Sequence, residues 1–309
     1  MTVKLELSEG KKLEGKTAII TGSSRGMGRA GALLFGLNGA NVVVNYYGNK
    51  EAADAVVNRI KEFGSGAVAV QADIANLNDH QKLVDAAIDN FGRLDILYHN
   101  AAMHYSCKEL EDVTEEIWDA THGQILKGPF YLTRLCIPHI MAAGGGSILF
   151  TSTSSAGAAT PMDPHYLTAK NGVNILYKFF AGWLGPDIRV NCIVPGFVKT
   201  DMFRHHSTEM WKNLSESLPM RRMATPLDVA HAALFMVSPE AEYLTGMQVP
   251  VDGGRMNAVP RHGGIGPVIK AMKPKLGRYD KSDWSEQDIA DMDVGLVDVD
   301  TDRKVINPA

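Results

Sequence analysis

The chain has 309 residues, 45% of them apolar and 21% charged, and its 31 Lys+Arg against 35 Asp+Glu leave a formal charge of −4. That balance belongs to a soluble globular protein with room for one large domain or two small ones, and the mild acidity argues against a nucleic-acid partner, which asks for a basic face. No apolar run reaches the roughly 18 residues of a membrane span. The first residues, MTVKLELSEGKK, lack the apolar stretch of a secretory signal. Cys107, Cys136 and Cys192 are too few and too scattered for a disulfide framework or a zinc site. A reducing, cytoplasmic setting with no membrane partner is expected.

Residues 16–21 read as a short buried strand around Ala18-Ile19-Ile20. A glycine-rich turn leads to a helix over 29–37, closed by Gly39, and Val42-Val43-Val44 marks a second buried strand over 41–45. Strand, turn, helix and strand within about 30 residues make a βαβ unit. The alternation continues with helix 51–63, strand 67–74, helix 78–90, strand 94–101, a long helical region 115–141 and strand 147–152. Helix 164–183, strand 189–196 and helix 226–237 follow. Residues 247–254 form a last strand, at an edge because Pro250 donates no N–H. Seven strands alternating with helices predict an α/β fold, a doubly wound, mostly parallel Rossmann-type sheet in a single domain over 13–256. Residues 257–309 are Gly/Pro-rich and then aspartate-rich, and too poor in apolar residues to fold alone. They read as a tail packed on its own domain or on a neighbouring subunit. Their aspartates lack the spacing and closing Glu of a calcium loop.

Gly22, Gly26 and Gly28 give GxxxGxG between a strand and a helix start. Small residues there let the backbone approach a pyrophosphate, whose charge meets open helix N–H groups. An NAD site places a carboxylate at the end of the second strand, on the ribose 2′-hydroxyl. Here Asn45-Tyr46-Tyr47-Gly48-Asn49 offers no acid before Glu51, and Arg25 in the glycine loop can meet a 2′-phosphate instead. NADP(H) is the expected cofactor, with Ser24, Met27, Asn45 and Tyr46 beside it.

TGSSRGMG (21–28), HNAA (99–102), YLTAK (166–170) and PGFVKT (195–200) resemble, in order and spacing, the signature series of the short-chain dehydrogenase/reductase family over about residues 13–256. The resemblance implies that Asp73 and the backbone of Ile74 hold adenine, a role compatible with Asp73 capping a helix. It also implies that Asn100 and Ala101 lie by the adenine ribose. Pro195, Gly196, Val198 and Thr200 would belong to the loop that grips the nicotinamide carboxamide.

Tyr166 and Lys170 stand four apart on a helix and so face the same way. A nearby ammonium, with the cationic oxidised nicotinamide, would favour the phenolate of a tyrosine otherwise titrating near ~10, and the lysine suits the ribose hydroxyls. The family's third member is a serine usually 13 residues before the tyrosine, which falls on Thr153; counting back from Gly157 points to Ser154. Both stay open. The fourth is an asparagine in a pattern resembling W-x6-N-x-x-G, and with Trp118 and Gly128 aligned its place is taken by Ile125, which cannot anchor a water relay. Gln124 is adjacent but points about 100° away on a helix.

His104, Tyr105, Met162 and His165 are expected to face the pocket. Residues 201–223 match the family's variable lid, where Phe203, His205, His206 and Trp211 point to a bulky, partly aromatic substrate and no metal. The expected activity is NADP(H)-dependent interconversion of a ketone and a secondary alcohol, running as reduction. The alternatives are a cofactor-binding protein of weak redox activity, because of Ile125, and a non-oxidative dehydratase or epimerase. The resemblance implies a homodimer or homotetramer joined by helices 115–141 and 164–183, with Ala169, Gly172, Ala181 and Gly182 allowing close approach.

Overall fold

Successive side chains of a strand point to opposite faces, and here the two sets feed separate cores. The computed structural model describes residues 11–105, 107, 109–156, 163–200 and 208–256. Seven strands, β1 (Thr17–Ile20), β2 (Asn41–Tyr46), β3 (Ala67–Gln71), β4 (Ile96–His99), β5 (Gly146–Thr151), β6 (Ile188–Pro195) and β7 (Gln248–Val251), form one sheet in the order 3-2-1-4-5-6-7. Every pairing is parallel. Ala18, Ile20, Val42, Val44, Tyr46, Ile96, Tyr98, Leu149 and Ile193 face one core, with α1 (Gly26–Leu37), α2 (Lys50–Glu62) and α8 (Pro226–Val237). Ile19, Val43, Leu97, Ile148, Phe150, Val190 and Val194 face the other, with α3 (His80–Phe91), α5 (Gly128–Ala142) and α6 (Pro164–Leu184). Both faces are therefore apolar, as an all-parallel sheet requires. Pro250 lies on edge strand β7, paired only to β6.

The strand order reverses between β1 and β4, and the crevice beyond their carboxyl ends is where such sheets bind ligands. At the opposite, amino end, Asp95 (1% exposed) ties the strands together. Its carboxylate accepts from Arg93 Nη2 at 2.6 Å and Nε at 2.8 Å, from Lys16 at 3.0 Å and from the Thr17 N–H at 3.0 Å.

Several boundaries differ from the sequence expectation. Helix α1 begins three residues earlier, at Gly26, and β3 stops at Gln71 because Ala72 onward turns toward α3. The long region 115–141 is not one helix. It runs as α4 (Glu115–His122), a π-helical turn (Gly123–Lys127) and α5. The π turn carries Ile125, 2% exposed and in the same apolar core as Ala169 and Val173 of α6. Residues 201–223 include α7 (Thr208–Ser217), on which Trp211 is buried.

On α6, two small residues expected at a subunit contact face inward instead. Ala169 is fully buried, and a side chain on Gly172 would strike Leu126. The outward face carries Ile175, Phe179 and Trp183, one turn apart and 68%, 44% and 76% exposed. No helix among the described residues is long and apolar enough to cross a membrane. The three cysteines are free and buried. The tail 257–309, with Gly157, Met162, Phe203, His205 and His206, lies outside the described residues.

Candidate active site

The glycine loop is built by its neighbours. Gly22 donates its N–H to Asn45 Oδ1 at 2.9 Å and has φ +63°, and a Cβ on it would come within 2.9 Å of the Ala101 backbone. At Gly28 a Cβ would run into the Asn100 side-chain amide and the Gly22 carbonyl. Asn100 holds that carbonyl at 3.1 Å and the Thr21 carbonyl at 3.0 Å through Nδ2, and Thr21 Oγ1 accepts from the N–H groups of Asn100 and Ala101. The loop thus meets β4 with no room for side chains. Arg25, exposed and in extended conformation, precedes α1 without a side-chain cap, which leaves the first-turn N–H groups of Gly26, Met27 and Gly28 facing the crevice. Asn100 Oδ1 is buried with no hydrogen-bond partner among the described residues. A bare helix start, a cradle without Cβ atoms and an open amide oxygen fit a dinucleotide pyrophosphate and its ribose.

Asn45 and Tyr46 stand differently from the expectation. Asn45 is 2% exposed, its Oδ1 taken by Gly22 and its Nδ2 donated to the Ala72 carbonyl at 3.0 Å, while Tyr46 is 7% exposed in the α1/α2 core. Strand alternation buries Tyr46 and commits the Asn45 amide to the loop's rear, so the exposed side chains at this corner are Tyr47 and Asn49. Asp73 Oδ1 accepts from the Ala75 N–H at 2.9 Å, a turn cap, and Ile74 is buried with its carbonyl held by His80 Nε2. Ser24 is part-exposed on the loop and Met27 packs on the core. Thr200 closes on the loop from the other side, within 3.6 Å of where a Gly26 Cβ would sit. Pro195 ends β6, Gly196 bonds the Val251 carbonyl at 3.0 Å, and Val198 is buried.

Beyond β5, α6 brings Tyr166 and Lys170 under the segment that follows Thr151. Lys170 is 3% exposed, donates to the Thr151 carbonyl at 2.8 Å and lies 5.7 Å from the Tyr166 ring centroid. Burial pulls its pKa down to about 8. Burial pushes the Tyr166 phenol up to about 12; a hydrogen bond with the Thr153 hydroxyl works against that, and Asp163 adds to it. The expected acidic phenol is therefore not built by the protein alone, because burial pushes each group toward its neutral form, although Lys170 stays mostly an ammonium at pH 7. Thr153 is the hydroxyl that meets Tyr166, and its oxygen also accepts from the Ser155 N–H at 3.3 Å. Ser154, 5% exposed, is held instead by Arg255 Nη1 at 2.7 Å.

His104 packs edge-on against Tyr166 with centroids 5.2 Å apart, and its Nε2 bonds Asp163 Oδ2 at 2.8 Å. Asp163 takes a left-handed φ of 59° at the start of α6. His165 does not face the pocket. It is fully buried with its ring on the Tyr105 carbonyl at 3.1 Å. No cluster of three metal-ligating side chains occurs among the described residues. Sequence reasoning missed Asp163 and Arg255. The signal for Arg255 was a lone long cation after Gly253-Gly254; for Asp163 it was a carboxylate at the start of the Tyr166 helix.

Residues 22–256 match the family model described as enoyl-(acyl carrier protein) reductase. A versicolorin reductase of Emericella nidulans is 36% identical over 261 residues, 80% of this chain and 98% of that protein. A 3-oxoacyl-[acyl-carrier-protein] reductase of Staphylococcus aureus is 34% identical over 240 residues, 77% and 97% of the two chains. Among solved structures, carveol dehydrogenase from Mycobacterium avium in complex with NAD superposes with a TM-score of 0.74 at 27% identity, covering 80% of this chain and 99% of that one. The chain belongs to the short-chain dehydrogenase/reductase family, enzymes that use a nicotinamide nucleotide to interconvert alcohols and carbonyls.

Proposed function

We propose that the protein is an NADP(H)-dependent carbonyl reductase in which Tyr166 protonates the oxygen of a ketone. One observation carries this reading: the Tyr166 hydroxyl bonds Thr153 at the mouth of the crevice while Lys170 is buried one turn below. A reduced nicotinamide bound there supplies the hydride. Gly22, Ser24, Arg25, Gly26, Met27 and Gly28 would hold the phosphates, Asp73, Ile74, Asn100 and Ala101 the adenosine, and Pro195, Gly196, Val198 and Thr200 the carboxamide. Asn45 serves by holding Gly22 in place, and Tyr46 only through the backbone.

A phenol held in its neutral form still carries the proton that reduction consumes, and the alkoxide oxygen formed by hydride addition, a much stronger base, takes it. Thr153 holds the same substrate oxygen as charge develops on it, an oxyanion-type contact. Lys170 orients the ribose and brings positive charge below the ring. Running the reaction backwards needs the phenolate, against the burial that raises this group to about 12. The exposed Arg25, and the absence of an acid from Asn45 to Lys50, support NADP(H) over NAD(H).

Two side chains of the pocket mouth, His104 and Tyr105, and the lid's aromatic residues support a bulky, partly aromatic substrate, and the 36% identity to a versicolorin reductase is in keeping with that. The apolar stripe Ile175, Phe179 and Trp183 supports a homodimer or homotetramer through α6. Turnover of an aryl ketone panel with NADPH and NADH tests the proposal. NADPH is expected to be preferred at least tenfold, and Arg25→Ala to erase the preference. Thr153→Val is expected to cost turnover about 10²-fold and Ser154→Ala far less. A second reading, weak redox activity, rests on Ile125 in the π turn. A gain in turnover for Ile125→Asn would favour it.

A further inference from the structure

Arg255, three residues beyond the Asp252 that follows β7, donates from Nη1 to two neutral hydroxyls, Ser154 Oγ at 2.7 Å and Ser155 Oγ at 2.9 Å. Its guanidinium carbon sits 4.4 Å from the centroid of the Phe197 ring, so one face is stacked. The charge of Asp252 reaches Arg255, but its carboxylate oxygens are engaged by backbone: Oδ1 accepts from the Gly254 N–H at 2.9 Å and Oδ2 from the Met256 N–H at 2.8 Å. No carboxylate among the described residues forms an ion pair with Arg255. Burial lowers its pKa, a sign that water has been stripped from the cation. A half-buried guanidinium stacked on one face and, among the described residues, bonded only to hydroxyls keeps part of its planar donor fork for an anion.

Its position selects which anion. Ser155 is the residue whose N–H bonds Thr153 Oγ1, and Thr153 meets Tyr166, so three hydrogen bonds, through Ser155 and Thr153, connect the cation to the proton donor. The 2′-phosphate corner lies at the end of β2, three strand positions in the sheet order from β5, whose following residues Ser154 and Ser155 hold the guanidinium. At about 4.8 Å per strand that is roughly 14 Å away. A cofactor phosphate on β2 is out of reach, whereas a substrate lying on Tyr166 is not.

We propose that Arg255 is a substrate-recognition residue and that the ketone this enzyme takes carries a carboxylate which pairs with the guanidinium. The inference rests on the reductase reading above and narrows it to oxo acids. Ser154 and Ser155 hold the fork in place before substrate arrives, and Phe197 prevents it from turning to solvent. Arginine suits this place better than lysine because a planar, stacked fork meets a carboxylate with two bonds.

The test compares 3- and 4-acetylbenzoate with their methyl esters, in turnover with NADPH and in calorimetric binding to the full-length protein saturated with NADP⁺. The wild type is expected to favour at least one acid over its ester about 10- to 100-fold in kcat/KM and in Kd, the range of a charged hydrogen-bonded contact. Arg255→Gln is expected to collapse that ratio to near one, and Arg255→Lys to retain part of it. If Arg255 merely braces the loop, acid and ester fall together in the variants and the ratio survives, which overturns the proposal; a wild-type ratio near one overturns it as well. Failure to reduce any of the four compounds would count against the reductase reading alone, because the binding ratio still decides the role of Arg255.

Discussion

The two ends of the sheet handle buried polar groups in opposite ways. At the amino end Asp95 is saturated by two cations and a backbone N–H, and although burial alone would raise its pKa, those bonds hold the carboxyl below the usual carboxylate range. At the carboxyl end Lys170 is buried and Tyr166 half-buried, without an opposite charge to match, and each is pushed toward its neutral form. A group that is fully matched stabilises the fold and does nothing else. A group left short of partners costs stability and is available to a ligand.

That contrast can be broken most forcefully at Lys170. Lys170→Met is expected to lower ketone turnover by about 10²- to 10⁴-fold, yet to raise stability at pH 7 by about 1–2 kcal/mol, since a buried cation is replaced by a side chain of similar volume. The sign with pH follows from a folded-state pKa near 8 set against 10.5 unfolded. Between those values the unfolded chain binds more protons, so the wild type gains on the variant as pH rises and the variant's advantage fades toward pH 10. Melting both proteins at pH 7 and pH 10 checks this.

At the other end Asp95→Ala is expected to cost about 2–3 kcal/mol in denaturant unfolding, from the buried Thr17 N–H left unpaired, while kcat of the folded fraction stays near that of the wild type. Lys16 and Arg93 are 41% and 39% exposed at the side chain and regain water, which keeps the loss moderate. Asp95's contribution is present above the ordinary carboxylate pKa of 3.8 and is lost as pH falls through its lower folded value. The penalty of the variant should therefore shrink only below about pH 3.8.

The smallest expected effect sharpens the account of Tyr166. Asp163 raises the phenol's pKa, so Asp163→Asn is expected to move the alkaline decline of ketone reduction to lower pH by a fraction of a unit. An unmoved profile would remove Asp163 from the tuning of the proton donor.

Much of this architecture is legible in the sequence because buried parallel strands leave apolar runs and glycine turns leave spacing. The runs Ala18-Ile19-Ile20 and Val42-Val43-Val44 locate β1 and β2, and Pro250 marks the edge strand. Tyr166 and Lys170 are legible because a four-residue interval on a helix fixes a shared side. What escaped depends on contacts far apart in the chain. The break at Gly123–Lys127 leaves no periodicity signature, since α4 and α5 are both helical in pattern. Asn45 and His165 look like site residues in the sequence, and only their partners Gly22, Ala72 and Tyr105 reveal positions behind the site. Which of Thr153 and Ser154 meets Tyr166 is invisible in the register, because Ser154 is held by Arg255, 101 residues downstream.

The central claim is that Tyr166 donates the proton in carbonyl reduction. The most direct measurement is NADPH binding and ketone turnover by Tyr166→Phe, which removes one oxygen and keeps the ring packed on His104. The account predicts NADPH affinity within about threefold of wild type and turnover reduced by about 10²- to 10⁴-fold. Undiminished turnover with intact cofactor binding would contradict it.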